Sequence, residues 1–408
     1  MKQGARRVLS DRVYQFRTII LGAGAAGMMA AAHAGPGVLL VDHARAPGEK
    51  IRISGGGRCN FTNMDVGANN YLSENPHFCK SALARYSQWD FIEMVSRHGI
   101  AWHEKTLGQL FCDGKATQIV DMLQAEMAKA VAEVWLQTRV VDLRHADGRF
   151  DLRLDREGRT FDVSAENLVL ATGGKSIPKM GATGLAYEIA RQFGHDVTDT
   201  RAALVPFTFD KGRFADLAGV SLPSALSNER ARFSEGLLFT HRGLSGPAVL
   251  QLSSYWLEGE EIVVDLLPGV DCIGALKSAR QAQGRRSLTT ELGHMMPGKV
   301  VSFLGQHMDF KGNLADLSDQ RIAALSDALH HWRLKPTGTE GYRTAEVTLG
   351  GISTSGLDSK TLMSKHLPGL FAIGEAVDVT GWLGGYNFQW AWSSGVAAGQ
   401  AIIARHDG

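Results

Sequence analysis

The chain has 408 residues, of which 44% are hydrophobic and 21% charged, the composition of a globular protein with a large buried core. Forty-three Lys and Arg against forty-two Asp and Glu leave a formal charge of +1, so the overall balance gives no electrostatic reason for constitutive binding to nucleic acid or membrane. The four cysteines, Cys59, Cys79, Cys112 and Cys272, are widely spaced with no CxxC or His/Cys cluster, which argues against a zinc site or disulfide framework and for a reducing cytoplasm.

At the amino terminus, basic residues up to Arg17 precede the apolar stretch 18–35, an arrangement that mimics a signal peptide. Its Gly/Ala richness and the motif it carries speak against cleavage, and its glycines against a membrane span. Residues 1–16 are expected to be a flexible lead-in. The run 17–21 reads as a buried strand, followed by Gly22-Ala23-Gly24-Ala25-Ala26-Gly27 and a helix over 28–34. In that order Gly22 permits a tight turn, Gly24 admits a pyrophosphate against the backbone, and Gly27 lets helix and strand approach, with Ala25 and Ala26 between them as further cofactor-binding candidates. A second strand, 37–41, ends at Asp42, twenty positions after Gly22, followed by His43. An acid there accepts hydrogen bonds from ribose hydroxyls, which favours FAD or NAD over NADP.

The segment 48–63 follows, with Ser54-Gly55-Gly56-Gly57-Arg58-Cys59-Asn60 at its centre. Three successive glycines expose backbone to a planar ring system, and Asn60, Thr62 and Asn63 are candidates to hydrogen-bond a flavin's ring edge or ribityl chain. Helical periodicity is expected over 81–99 and 118–133. Strands are expected over 134–143, 149–154 and 159–163 around turns at Ala146-Asp147-Gly148 and Glu157-Gly158. A strand over 167–170 runs into Ala171-Thr172-Gly173-Gly174. Another, 369–373, runs into Gly374-Glu375-Ala376-Val377-Asp378, so both put small residues at a strand's carboxyl end, where open α/β sheets bind ligands. Finally, Gly384-Gly385-Tyr386-Asn387 opens a helix over 388–404, whose amino terminus would stabilise negative charge on a reduced flavin.

Between these halves, 200–342 shows short strands (204–209, 231–239, 261–266) and then helical stretches (273–283, 299–307, 318–331). The expected organisation is an FAD-binding first part at 17–199, an inserted β-rich substrate domain at 200–342 with a helical subdomain near 270–335, and an FAD-binding second part at 343–408. The fold class is thus α/β, a Rossmann-like domain built from both chain ends. No second GxGxxG and no redox CxxC occur, so either NADH or NADPH binds transiently in the substrate's own cleft, or electrons come from another donor or pass to oxygen. No metal site is expected. Acid or base candidates are His241, Arg242, Tyr386 and Cys59, each with a plainer reading as surface, wall or packing residue, so the catalytic group stays unassigned; His103, His195 and His331 have no supporting context.

Six ordered motifs, GAGAAG (22–27), SGGGRCNFTN (54–63), LATGG (170–174), LFTHRGLSGP (238–247), GEAVD (374–378) and GGYNFQWAWSSG (384–395), resemble the BaiN-like (YhiN-type) NAD(P)/FAD-dependent oxidoreductases, some labelled aminoacetone oxidase family FAD-binding enzymes. The resemblance covers nearly the whole chain. It implies bound FAD, an adenine contact at the backbone near Val140, and reduction of an activated C=C bond. Residues 111–116 depart from a Phe-Pro pair common in that family, which leaves the substrate open. The neutral charge favours a small unsaturated molecule; a uracil in RNA, an amine oxidised by oxygen, and a non-catalytic flavin sensor are the alternatives. Oligomeric state has no signature in the sequence.

Overall fold

The computed structural model describes residues 13–407. Its contacts divide it into two compact units, one formed by the chain up to Thr200 and again from Thr348 on, the other by Arg201–Val347.

The first unit is built on β1 (Tyr14–Leu21), β2 (Val38–Val41), β6 (Glu133–Trp135), β7 (Thr138–Ala146), β8 (Arg149–Arg156), β9 (Arg159–Leu170) and β10 (Leu370–Ala372), which form one seven-stranded sheet. Its order is β6-β2-β1-β9-β8-β7, with β10 also on β9. The pairs β6–β2, β2–β1, β1–β9 and β9–β10 are parallel, so β1 is covered on both faces and its Ile19 and Ile20 are fully buried. Helices α1 (Ala25–His33), α3 (Thr117–Lys129) and α4 (Tyr386–Asp407) belong to this unit. α1 and α4 touch through small residues, because a Cβ on Gly395 would stand 2.7 Å from the Ala26 carbonyl oxygen.

β1 starts earlier than expected, because Tyr14 continues the pairing opposite Val163 and packs edge-on to Trp135. Residues 14–16 are therefore strand rather than lead-in, and 1–12 lie outside the described residues. The two expected turns are present, with Asp147-Gly148 and Glu157-Gly158 all at positive φ, as two-residue hairpins require. The strands expected at 159–163 and 167–170 are one continuous strand, since the residues between them pair with β1. The single helix expected over 81–99 is two, Lys80–Arg85 and Gln88–Arg97. Ser87 starts the second with a capping box, its N–H and hydroxyl both donating to Asp90 Oδ2 (2.7 and 2.6 Å).

A small antiparallel sheet of β3 (Asn60–Asn63), β5 (Gln109–Cys112) and β4 (Trp102–Glu104), in that order, follows the short helix α2 (Glu49–Ile53). The second unit holds its own seven-stranded sheet, in the order 332–334, 262–265, 221–227, 232–239, 243–245, 207–208 and 338–339, with helices at Cys272–Gln283, Leu288–Met295, Gly298–Leu304 and Asp319–His330. The strand expected at 204–209 shrinks to Phe207–Thr208 because Leu204 adopts a φ of 49°. No described helix is long and apolar enough to cross a membrane.

Candidate functional site

The carboxyl ends of β1, β2, β9 and β10 converge on the first glycine motif. A Cβ on Gly22 would fall 2.4 Å from the Ala171 carbonyl oxygen, and one on Gly27 would fall 1.8 Å from the Gly22 oxygen, so both glycines are dictated by close approach. Gly24 is different: no atom lies within 4 Å of where its Cβ would be. It is also the residue before α1, whose first-turn amides, through Ala25 and Ala26, are directed at that open space. Asp42 ties the turn down, Oδ2 accepting from Ala23 N (2.6 Å) and Oδ1 from Ala44 N (2.8 Å). Each oxygen keeps a lone pair for a ribose hydroxyl. His43 is half-exposed with Nδ1 3.4 Å from that carboxylate. Val140 lies on β7, two residues beyond Thr138, whose N–H donates to the Asp42 carbonyl oxygen (2.9 Å).

In the second motif Ser54 closes α2 by donating to the Ile51 oxygen (2.8 Å), and Gly55, Gly56 and Gly57 follow at φ 56°, 66° and 85°. Side chains would be strained at all three. Space is open above Gly56 and Gly57, whereas Gly55 lies under the Phe111 ring. Arg58 is exposed and Asn60 half-buried, its amide 3.3 Å from Gln109. Cys59 is fully buried, and burial, the dominant cause, pushes its thiol far above the ordinary range, opposed by a hydrogen bond with Ser54. Its side chain packs in the core of this unit. Thr62 and Asn63 are likewise removed from the ligand-facing set: Thr62 donates to Gln389 Oε1 (2.6 Å), and Asn63 Nδ2 donates to the oxygens of Leu107 and Gly384 (both 3.0 Å).

At the ends of β9 and β10, Gly173 faces Glu375, and the hydroxyl of Thr172 is buried with no hydrogen-bond partner among the described residues. Glu375 accepts from Lys50 Nζ (2.8 Å), Ser176 Oγ (3.0 Å) and Thr348 N (3.0 Å). Burial raises its carboxyl, but the Lys50 charge and these hydrogen bonds outweigh that and hold it below the usual range. Lys50 also donates to Ser176 Oγ (2.7 Å). Lys50, Ser176 and Thr348 meet at Glu375 without having been singled out in the sequence; the one signal was a lysine five positions ahead of the first glycine of the triplet.

Asp378 is structural: its Oδ2 accepts from Glu74 N (2.9 Å), and burial raises its carboxyl. Asn387 is structural too, accepting from Gly381 N (2.8 Å) and donating to the Gly381 oxygen (2.9 Å), which fixes the loop ahead of α4. Gly374 abuts Ala26, Gly384 abuts Gln109 and Gly385 abuts the Thr62 backbone, so the carboxyl-terminal motifs are fastened to the amino-terminal ones. Tyr386 is buried beside Tyr71, whose hydroxyl donates to the Tyr386 oxygen (3.0 Å), and it walls this region. His241 and Arg242 belong to the second unit, where both are exposed and Arg242 pairs with Glu340 at 3.7 Å. Among the described residues no cluster could hold a metal ion. The open space over Gly24, Gly56 and Gly57 and the orphaned Thr172 hydroxyl fit a long dinucleotide laid along the strand ends.

A family model described as HI0933-like protein Rossmann domain matches residues 16–401. The ribosomal RNA dihydrouridine synthase of Escherichia coli (strain K12) is 53% identical over 400 residues, spanning 96% of this chain and 98% of that protein. The 3-dehydro-bile acid delta(4,6)-reductase of Clostridium scindens is 29% identical over 408 aligned positions, 95% of this chain and 98% of that one. Among solved structures, 3-ketosteroid-delta4-(5alpha)-dehydrogenase from Rhodococcus jostii RHA1 has a TM-score of 0.52 at 17% identity, over 97% of this chain and 98% of that chain, a likeness of fold.

Proposed function

The chain belongs to the HI0933-like Rossmann family and is an enzyme of the FAD-dependent oxidoreductase type, and from that premise we propose that it reduces a uracil ring in ribosomal RNA to dihydrouracil. The observation that carries this reading is the 53% identity to a ribosomal RNA dihydrouridine synthase over nearly the full length of both chains. It favours RNA, the alternative at the sequence level, over the small unsaturated molecule preferred there on charge. Net charge was a weak guide, because one local contact surface is enough for RNA and leaves the whole-chain sum unchanged.

The balanced reaction is uridine plus NAD(P)H plus a proton giving dihydrouridine plus NAD(P)⁺. FAD, when bound, would supply the redox chemistry that links nicotinamide to the activated double bond. In this assignment Gly22, Gly24 and the α1 amides of Ala25 and Ala26 hold the pyrophosphate and Asp42 the ribose. The Val140 backbone meets the adenine, and Gly55–Gly57 with Thr172 and Gly173 line the flavin. Lys50 and Glu375 position those loops. The FAD-binding domain is assigned to the first compact unit, which returns at Thr348, and the substrate domain to Arg201–Val347.

The test is incubation of the FAD-loaded protein with NADPH or NADH and ribosomal RNA transcribed in vitro, which is free of modification, followed by nucleoside mass spectrometry. Uridine gaining two hydrogens at one site supports the reading. Rapid turnover of a steroid enone with no dihydrouridine would replace it with the bile-acid-type reaction.

A further inference from the structure

The turn between β4 and β5 contains a side chain that folding does not explain. Leu107 adopts φ 58° and ψ 37°, and it is 64% exposed. A bulky aliphatic residue is costly in the left-handed region, and an apolar side chain standing in water gains nothing by burial. The turn is nonetheless firmly held. Met64 N donates to the Gly108 oxygen and Lys105 N to the Gln109 oxygen, both at 2.8 Å. Asn63 Nδ2 donates to the Leu107 oxygen and also to that of Gly384, both at 3.0 Å. The displayed leucine is thus tied to both the SGGGRCNFTN and the GGYNFQ segments.

The neighbouring surface carries an aromatic platform with cations at its edge. Phe111 sits opposite Asn60 on one side and His103 on the other, with its ring over Gly55. His103 stacks on Phe111 with centroids 6.1 Å apart and planes 17° apart, and Lys105 Nζ lies 5.3 Å from the same ring. Lys115 is placed beside the glycine triplet by the bond from Ala116 N to the Gly57 oxygen (2.7 Å). Lys105 and Lys115 are exposed and make no ion pair with a described residue. Of the acids nearby, Asp113 is engaged by His103 at 2.6 Å, while Glu104 at the end of β4 and Asp65, next to the Met64 bonded to the turn, are exposed.

A uracil stacked in RNA cannot lay its face on a flavin; it has to leave the stack, and an apolar side chain is what fills the gap in other enzymes and architectural proteins that open nucleic acid. We propose that the Lys105–Gly108 turn is the RNA-engaging element of this enzyme, with Leu107 filling the gap left by the target uridine and Lys105 and Lys115 holding the adjoining phosphates. The inference rests on the RNA reading above.

The experiment uses the FAD-loaded enzyme and the RNA segment found modified in the ribosomal RNA assay, supplied once as a stable hairpin and once as a short unstructured oligonucleotide. Leu107→Gly is the informative variant, because glycine adopts this φ freely and the fold is spared. Its rate on the hairpin is expected to fall about tenfold or more, since unstacking costs a few kcal/mol, while the rate on the oligonucleotide and the reduction of flavin by NAD(P)H stay within about twofold. In Lys105→Gln/Lys115→Gln, the slope of log affinity for the hairpin against log salt should become shallower by about 1 to 2. Equal rates for Leu107→Gly and wild type on both RNAs, or equal losses on both, overturn the wedge. An unchanged salt slope overturns the phosphate contacts. Wild-type enzyme that oxidises NAD(P)H yet leaves both RNAs unmodified overturns the RNA reading itself, a result distinct from failure of the variants.

Discussion

The glycines of the first motif look equivalent in the sequence but do different work, and a single methyl group separates them. At Gly24 a Cβ meets open space, while at Gly27 it would stand 1.8 Å from the Gly22 oxygen. Gly24→Ala should therefore fold with only the modest cost of alanine at a helix N-cap, on the order of 1 kcal/mol, and place its methyl where the cofactor's phosphates belong. FAD affinity is expected to drop about tenfold or more, or 1.4 kcal/mol, on titration of apoprotein by flavin fluorescence. Gly27→Ala has to separate helix from strand and should lower the thermal midpoint of the apoprotein itself. Equal midpoints with equal FAD affinity would remove the assignment of the turn. Motif spacing made these glycines legible, because close approach leaves glycine as the one residue that fits. Lys50, Ser176 and Thr348 were not legible: their meeting at Glu375 is made by the fold, from positions 50, 176 and 348 with no common local pattern.

At the scale of elements, the sequence was most readable where a local signal sets the structure, as in the two left-handed hairpin turns and the glycine-opened α1. It was least readable where a neighbour decides. β9 is one strand because β1 runs along it, and Thr62 and Asn63 face inward because Gln389 of α4 and the Leu107 and Gly384 oxygens offer them partners. Gln389 of α4 shows how strong that fastening is. It is fully buried, accepts from Thr62 Oγ1, and donates through Nε2 to the Tyr86 oxygen (3.2 Å) and Ser393 Oγ (3.0 Å). Gln389→Leu keeps the volume but leaves the Thr62 hydroxyl with no acceptor in a dry interior, a penalty of about 1–3 kcal/mol. Chemical denaturation should report that loss. The double variant Thr62→Val/Gln389→Leu, with both polar partners gone, should recover part of it, and a double variant as unstable as the sum of the singles would rule out the coupling.

On the scale of the whole molecule, the two units depend differently on chain continuity. The second closes its sheet entirely within 201–347 and has an aromatic core, with Phe214 5.4 Å from Phe239 and 5.6 Å from Phe303, and Phe207 5.2 Å from Trp256. The first takes β10, Glu375 and α4 from beyond residue 348, and without them β9 loses a parallel partner and α1 loses the helix its alanines pack against. Sequence reading anticipated that a Rossmann-like domain would be assembled from both ends because its motifs occur there in order. It placed the return of the inserted segment at 343, whereas bonds such as Glu346 N to the Leu204 oxygen keep 343–347, which carry no turn or composition signal, with the second unit. A fragment of 201–347 is therefore expected to fold by itself, with a cooperative thermal transition in near-ultraviolet circular dichroism and no affinity for FAD. A fragment ending at residue 200 should show neither a cooperative transition nor flavin binding, although it carries the complete GAGAAG and SGGGRCN motifs. Adding 348–408 in trans should restore some FAD fluorescence quenching if the missing strand and helix are all it lacks. A fragment ending at 200 that bound FAD unaided would mean that the carboxyl-terminal motifs are accessory to the cofactor and would confine the site to the first half of the chain.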